Sequence, residues 1–190
     1  MKRICVFCGS SEGANVAYKS KAVALGRLMA QNKIELVYGG GGIGLMGVIA
    51  NAVMTNGGTV IGVIPRFLAD RELGHQEISE LILTDSMHQR KQKMADLADG
   101  FIALPGGFGT LEELCEILTW VQLSIIEKPV AILNTNGYFD NLIALFEHMT
   151  KERFLKESNK NLLLKANDEN ELIALMKEKI STIQKNLDRT

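Results

Sequence analysis

Short apolar runs alternate with stretches of helical period along this chain, and that alternation leaves few architectures open. KRICVF (2–7), IELVY (34–38), TVIGVI (59–64), ELILT (80–84), GFIAL (100–104), PVAIL (129–133) and NLLLK (161–165) each read as a strand. Helical patterns lie between them. One spans about 14–32 with Val16, Val23, Leu25, Leu28 and Met29 in near-helical spacing, and another runs to about Asn56. Further ones run from about Asp85 to Ala98, from a glycine loop to about Ile126, from about Tyr138, and over about 168–186. Residues 65–79, with Pro65 and several charges, read as a loop. Most strands are apolar on both faces, which is the signature of a parallel sheet covered on both sides by crossover helices. The predicted fold is therefore α/β: a single doubly wound, mostly parallel sheet with helices on both faces, forming one domain over 1–190. No internal repeat, linker or low-complexity segment divides it. Ligands of such sheets bind outside the carboxyl ends of the strands.

Composition matters here for what it excludes. A formal net charge of −1 gives no bulk electrostatic case for nucleic acid or a membrane surface. No run approaches the ~18 apolar residues of a membrane span. The basic start MKRICVFCGSS has an apolar stretch too short for a signal peptide, so it reads as a first strand and the expected compartment is the cytoplasm. Cys5 and Cys8 form a C-x-x-C, which invites a redox or zinc reading. They lie largely within the strand, however, where positions three apart face opposite sides. A zinc site would want a second pair, and only Cys115 remains. Two core cysteines and no metal site are the expectation.

Three glycine-bearing loops fall at predicted strand ends: GSSEG (9–13), GGGGIGLMG (39–47) and PGGFGT (105–110). Glycine lets backbone N–H groups approach a ligand without a Cβ in the way, and a helix starting there adds unpaired donors that suit phosphate. One such loop would be an ordinary tight turn; three in one domain favour a phosphate-bearing ligand. Ser10 in the first loop and Gly41 and Gly42 in the second are expected to line its site. The second loop holds G-x-G-x-x-G twice, as Gly39/Gly41/Gly44 and Gly42/Gly44/Gly47. A dinucleotide fingerprint also wants an acid at the end of the next strand. That strand runs IGVIPRF and offers only Arg66, so a nicotinamide cofactor is not expected.

Two charged groups sit close to these loops. In the helix SMHQRKQKMADLAD, Arg90 and Lys91 fall between Met87 and Met94 on the apolar face. A charge there either snorkels outward or enters a cleft that holds an anion. In LPGGFGTLEEL, Thr110 and Glu113 form T-x-x-E, a pattern that also makes a capping box. Glu113 thus either secures a helix start or, like Glu112, presents a carboxylate to a sugar or to water.

Together these segments resemble a known family. PGGFGTLEE, MHQRKQKM, VYGGGGIGLMG and FCGSSEG are similar to motifs of the LONELY GUY family of cytokinin riboside 5′-monophosphate phosphoribohydrolases, also labelled "possible lysine decarboxylase". The resemblance covers roughly Lys2 to Phe154. It implies a modified Rossmann-like fold and a reaction in which water cleaves the N-glycosidic bond of a nucleoside 5′-monophosphate, releasing a purine base and ribose 5-phosphate. Substrates of the family carry an isoprenoid group on adenine, and some members cleave plain AMP. Carried over by motif, Gly106, Gly107, Gly109 and Thr110 hold phosphate, and Arg90 and Glu113 are the catalytic pair. Glu72, Lys91, Glu112 and Thr119 then line the substrate. No metal or organic cofactor is implied, and a homodimer is. Two alternatives stay open: a non-catalytic nucleotide carrier on the same scaffold, and a decarboxylase. The latter would ordinarily need a lysine holding pyridoxal phosphate, and no lysine of the sequence is set apart for it.

Overall fold

The structure is a computed structural model that describes residues 1–69, 74–75 and 77–187. Seven strands form one sheet: β1 (Arg3–Phe7), β2 (Glu35–Tyr38), β3 (Val60–Pro65), β4 (Glu80–Thr84), β5 (Gly100–Ala103), β6 (Val130–Leu133) and β7 (Leu163–Ala166). Every pairing is parallel, and the strand order is β4-β3-β2-β1-β5-β6-β7. The helices are α1 (Val16–Gln31), α2 (Gly44–Thr55), α3 (Arg66–Ala69), α4 (Met87–Leu97), α5 (Phe108–Gln122), α6 (Asp140–Lys151), α7 (Glu157–Lys160) and α8 (Glu169–Leu187), with one 3₁₀ turn at Thr135–Gly137.

The two faces of the sheet bury separate cores. On one, Ile4, Val6 and Cys8 pack with Leu25 and Met29 of α1, Ile49 and Val53 of α2, and Leu172 and Met176 of α8. On the other, Cys5 and Phe7 pack with Met94 of α4 and Leu114 and Ile117 of α5, and α6 closes this side with partly buried Leu142, Ile143 and Phe146. The central strands β1, β3, β5 and β6 are buried almost throughout, which is why they read as apolar runs and not as alternation.

Helix ends follow local chemistry. Asn15 caps α1, its side chain accepting from the Ala17 N–H at 2.9 Å. α5 stops at Gln122, short of the predicted Ile126, because Ser124 turns left-handed at φ 55°. The Ser124 N–H then donates to Val121 O (3.1 Å) and the Ile125 N–H to Trp120 O (2.9 Å), satisfying carbonyls of the last turn. The predicted loop at 65–79 holds the single turn α3, and α6 starts two residues later than expected, after the 3₁₀ turn.

Cys5 and Cys8 are free, buried, and in opposite cores. Burial, followed by the nearby Glu113 carboxylate, pushes both thiols well above the usual range, so neither is a ready nucleophile. Cys5→Ala should therefore lower stability by about 1 kcal/mol or more through lost core packing, without changing turnover. Thermal melting and a turnover assay on the same sample check this; an activity loss at unchanged stability would overturn it.

The topology fixes where a ligand goes. β1 lies beside β5, while the chain leaves β1 toward β2 on one side and leaves β5 toward β6 on the other. Their C-terminal loops thus diverge and open a crevice at this switch point. The loops meet at its base, where the Gly9 N–H donates to Pro105 O at 3.0 Å.

Candidate active site

The crevice encloses about 250 Å³. It is built from the end of β1 (Val6 to Ser10), Gly39 after β2, Met46 of α2, Arg90 of α4, and Gly107, Phe108, Gly109, Thr110 and Glu113 around the start of α5.

The glycines in and around the crevice serve two purposes. At Gly106 an added Cβ would overlap the Thr110 hydroxyl and lie 2.8 Å from the Gly9 nitrogen, so this glycine lets two loops touch. Gly44 has φ +61°, and a Cβ there would run into the Ser10–Ser11 backbone. Gly107 and Gly109 differ, since a Cβ on either would meet nothing within 4 Å. Packing does not demand glycine at these positions; the bare backbone faces open space at the first turn of α5. Gly107 is the N-cap, and no side chain caps the helix, leaving its first N–H groups to an outside acceptor.

This start displaces the capping-box reading. With Gly107 at the N-cap, Thr110 is inside the first turn and Glu113 in the second, so neither caps α5. Glu113 instead points to the floor of the crevice, with its side chain only 12% exposed. Arg90 meets it from α4. The guanidinium is buried, donates from Nε to Val63 O (3.1 Å) and from Nη2 to Gly39 O (3.3 Å), and stands 3.8 Å from Glu113 Oε1. Burial raises the Glu113 pKa to about 7, against the opposing pull of Arg90. A carboxyl that titrates near neutrality beside a fixed cation is suited to proton transfer.

The predicted site residues divide. Ser10, Arg90, Gly107, Gly109, Thr110 and Glu113 line this one crevice. Gly106 lines an adjoining pocket of about 280 Å³ that shares Gly9, Ser10 and Gly107 with the crevice and is walled by Tyr18 and Tyr138. Tyr138 donates its hydroxyl to Gly106 O (2.5 Å), tying the turn after β6 to the glycine loop. Lys91 leaves the crevice and holds α4 to α5 through Glu112 (2.5 Å) and Glu116 (3.1 Å). Glu112 accordingly lies outside the crevice lining, half exposed and paired with Lys91. Thr119 lies farther along α5, beside Cys115 in a separate hollow against α6 and α7, its hydroxyl donating to Cys115 O at 2.8 Å. Gly42 borders an open groove between α1 and α2, and Gly41 bridges to Gly74. Glu72 falls outside the described residues. Gly39, Met46 and Phe108 also line the crevice; all three lie in the glycine loops singled out in the sequence, though none was named there as a site residue. For Gly39 the signal was present: it directly follows a strand in the crevice row, as Gly9 does. Among the described residues no group of three or more His, Cys, Asp or Glu side chains is close enough to hold a metal ion.

A family model described as "Possible lysine decarboxylase" matches residues 46–176. The cytokinin riboside 5′-monophosphate phosphoribohydrolase LOG1 of Arabidopsis thaliana is 46% identical over 184 residues, 97% of this chain and 86% of the relative. The chain belongs to the LONELY GUY family. The LONELY GUY enzyme of Oryza sativa subsp. japonica, cytokinin riboside 5′-monophosphate phosphoribohydrolase LOG, is 45% identical over 93% of this chain and 73% of its own length. Among solved structures, the molybdenum cofactor binding protein from Rippkaea orientalis superposes with a TM-score of 0.69 at 24% identity, covering 95% of this chain and 98% of that one. At that identity the likeness is one of fold, and the LONELY GUY sheet also serves a molybdenum cofactor binding protein.

Proposed function

We propose that this chain hydrolyses the N-glycosidic bond of a purine nucleoside 5′-monophosphate, cytokinin-type or plain AMP, giving the free base and ribose 5-phosphate. The observation that carries the reading is the Arg90–Glu113 pair: a cation and a carboxyl of pKa about 7, 3.8 Å apart, on the floor of a crevice rimmed by uncapped backbone N–H groups. The names of relatives at 45–47% identity support the same reaction.

In this reading the 5′-phosphate sits on the first turn of α5, against Gly107, Gly109 and Thr110, with Ser10 opposite. Binding energy gathered there holds the ribose over Glu113 while the bond at C1′ stretches. Positive charge grows on the ribosyl ring as the N9–C1′ electron pair leaves with the base. The Glu113 carboxylate stabilises that charge and takes a proton from the attacking water, whose oxygen bonds to C1′. Glu113 then releases that proton, which ends on the departing base, so water's hydroxyl finishes on C1′, its hydrogen on the base, and Glu113 is again a carboxylate. Arg90 cannot give up a proton; its part is to keep Glu113 oriented and sufficiently ionised near neutral pH.

A decarboxylase would need a lysine free to form a Schiff base. Among the described residues none lines the crevice: Lys91 is engaged by Glu112 and Glu116, and Lys128 donates to Ala95 O. One nucleotide-binding hydrolase domain belongs to this reading, supported by the unbroken seven-stranded sheet. A homodimer belongs to the same reading, supported by the exposed apolar Leu123 and Ile125 at the end of α5. So does a cytoplasmic setting; among the described residues no helix is long and apolar enough to cross a membrane.

The phosphate grip makes a direct prediction. AMP and isopentenyladenosine monophosphate should each be cleaved far faster than the corresponding free nucleoside, with base release followed by chromatography. Equal kcat/KM for nucleotide and nucleoside would remove the phosphate role of the α5 start. Intact nucleotide after long incubation would leave binding without catalysis.

A further inference from the structure

The backbone of one glycine decides where the Arg90 guanidinium can lie. Gly39 follows β2 directly and is buried. Its carbonyl accepts from Arg90 Nη2 at 3.3 Å, while Nε donates to Val63 O within β3. Two fixed carbonyls, from neighbouring strands, thus hold the planar fork by two of its nitrogens. The space beside them matters equally. A Cβ built on Gly39 would overlap Arg90 Nη2, the nitrogen that faces Glu113, and would lie 3.2 Å from Cζ and 3.3 Å from Met46 Sδ. The guanidinium occupies the volume that a side chain at position 39 would fill.

We propose that Gly39 is a positioning residue for the hydrolysis: by its carbonyl and its missing side chain it holds Arg90 against Glu113. The role is separate from the phosphate-cradling role that glycine loops suggest, since what approaches Gly39 is this chain's own cation. It rests on the function proposed above for its kinetic consequence, but not for its structural one. Alanine at position 39 must either push the guanidinium off its carbonyls or push β2 outward, and interiors resist both. Displacing a catalytic group by about 1 Å costs up to about 10²-fold in rate.

The electrostatic readout is specific. The charged groups around Glu113 are Arg90 and Lys91 of α4 and Glu112 and Glu116 of its own helix, while the neutral thiols of Cys5 and Cys8 approach from β1. Of these, Arg90 is the chief one drawing the Glu113 pKa down. If Gly39→Ala displaces Arg90, Glu113 must titrate higher.

The test is a cycle of Gly39→Ala, Arg90→Ala and the double variant, with kcat and KM for AMP, a pH–rate profile, thermal melting, and NMR titration of the Glu113 carboxyl. The expected result for Gly39→Ala is a kcat fall of about 10- to 100-fold with KM within a few-fold. The acidic limb and the Glu113 titration should both move to higher pH. Combined with Arg90→Ala, the glycine substitution should add almost nothing, because both act through one group. Should Gly39→Ala be too unstable to assay, the double variant should melt higher than the single, since the clashing guanidinium is gone. A parent-like Glu113 titration in Gly39→Ala, effects that multiply in the double variant, or instability that Arg90→Ala does not relieve would each overturn the proposal. If the parent cleaves no nucleotide, the function reading fails, while the carboxyl titration still decides the role of Gly39.

Discussion

Glu113→Gln should lower kcat by about 10²-fold or more while leaving the chain folded and able to bind AMP. Glutamine keeps the shape of the side chain but cannot hold negative charge against a ribosyl cation or take a proton from water. Glu113 caps nothing, because α5 begins at Phe108 with Gly107 as its N-cap, so the exchange costs no helix-end hydrogen bond. Stability should even respond favourably at high pH. Burial raises the Glu113 pKa from 4.5 to about 7, so between those values the folded chain holds a proton that the unfolded chain has lost. Stability contributed by this group is therefore present in full below about pH 4.5 and is lost as pH rises through about 7. Glutamine removes that loss: the variant should match the parent in Tm at pH 4.5 and exceed it at pH 8. Glu112→Gln provides the comparison, since it removes the same charge from outside the crevice, beside Lys91. Abolished turnover in Glu112→Gln with near-parental turnover in Glu113→Gln would put the working carboxylate on the wrong residue.

Arg90→Ala should also lose roughly two orders of magnitude in kcat, the scale of a working carboxylate left misplaced and under-ionised. Its signature differs from that of Glu113→Gln in two ways. The surviving Glu113 loses the cation that opposes burial, so its pKa should rise above about 7 and residual activity should be confined to more alkaline pH. The carbonyls of Val63 and Gly39 lose their donor, which costs roughly 1–3 kcal/mol if water does not replace it. A lower Tm with a still cooperative transition is expected. A folded fraction that turns over at the parent rate would reduce Arg90 to a structural pin.

Much of the fold was legible because the pattern that produces it is local. Each of the seven strands was visible as an apolar run, and the crevice followed from glycines at the ends of β1, β2 and β5. Helix ends were less so: the left-handed turn at Ser124 carries no glycine to announce it. Within the site, Arg90 stood out because a charge on an apolar helix face needs a partner. Its actual partners did not, because Val63 and Gly39 lie 27 and 51 residues away and contribute only backbone oxygen. Thr110 and Glu113 fitted a capping box in spacing alone, whereas the helix had already begun at Phe108. Lys91 and Glu112 show the same limit. They come together through the packing of α4 on α5, at 91 against 112 and 116, which no short-range spacing encodes.

A single α-helix carries both ends of the proposed chemistry. Its N-cap is Gly107, and Glu113 comes six positions later on the same rod. At 1.5 Å per residue the axial separation is about 9 Å, and it is set by backbone hydrogen bonds and not by side-chain choice. The helix therefore acts as a gauge, with one jaw closing on the phosphate and the other on the far side of the sugar. Inserting one residue between the jaws would swing Glu113 about 100° around the axis and carry it out of the crevice altogether. Affinity for the handle and attack at the anomeric carbon are thus mechanically coupled, and sequence drift between 107 and 113 is free in chemistry only where it keeps the count.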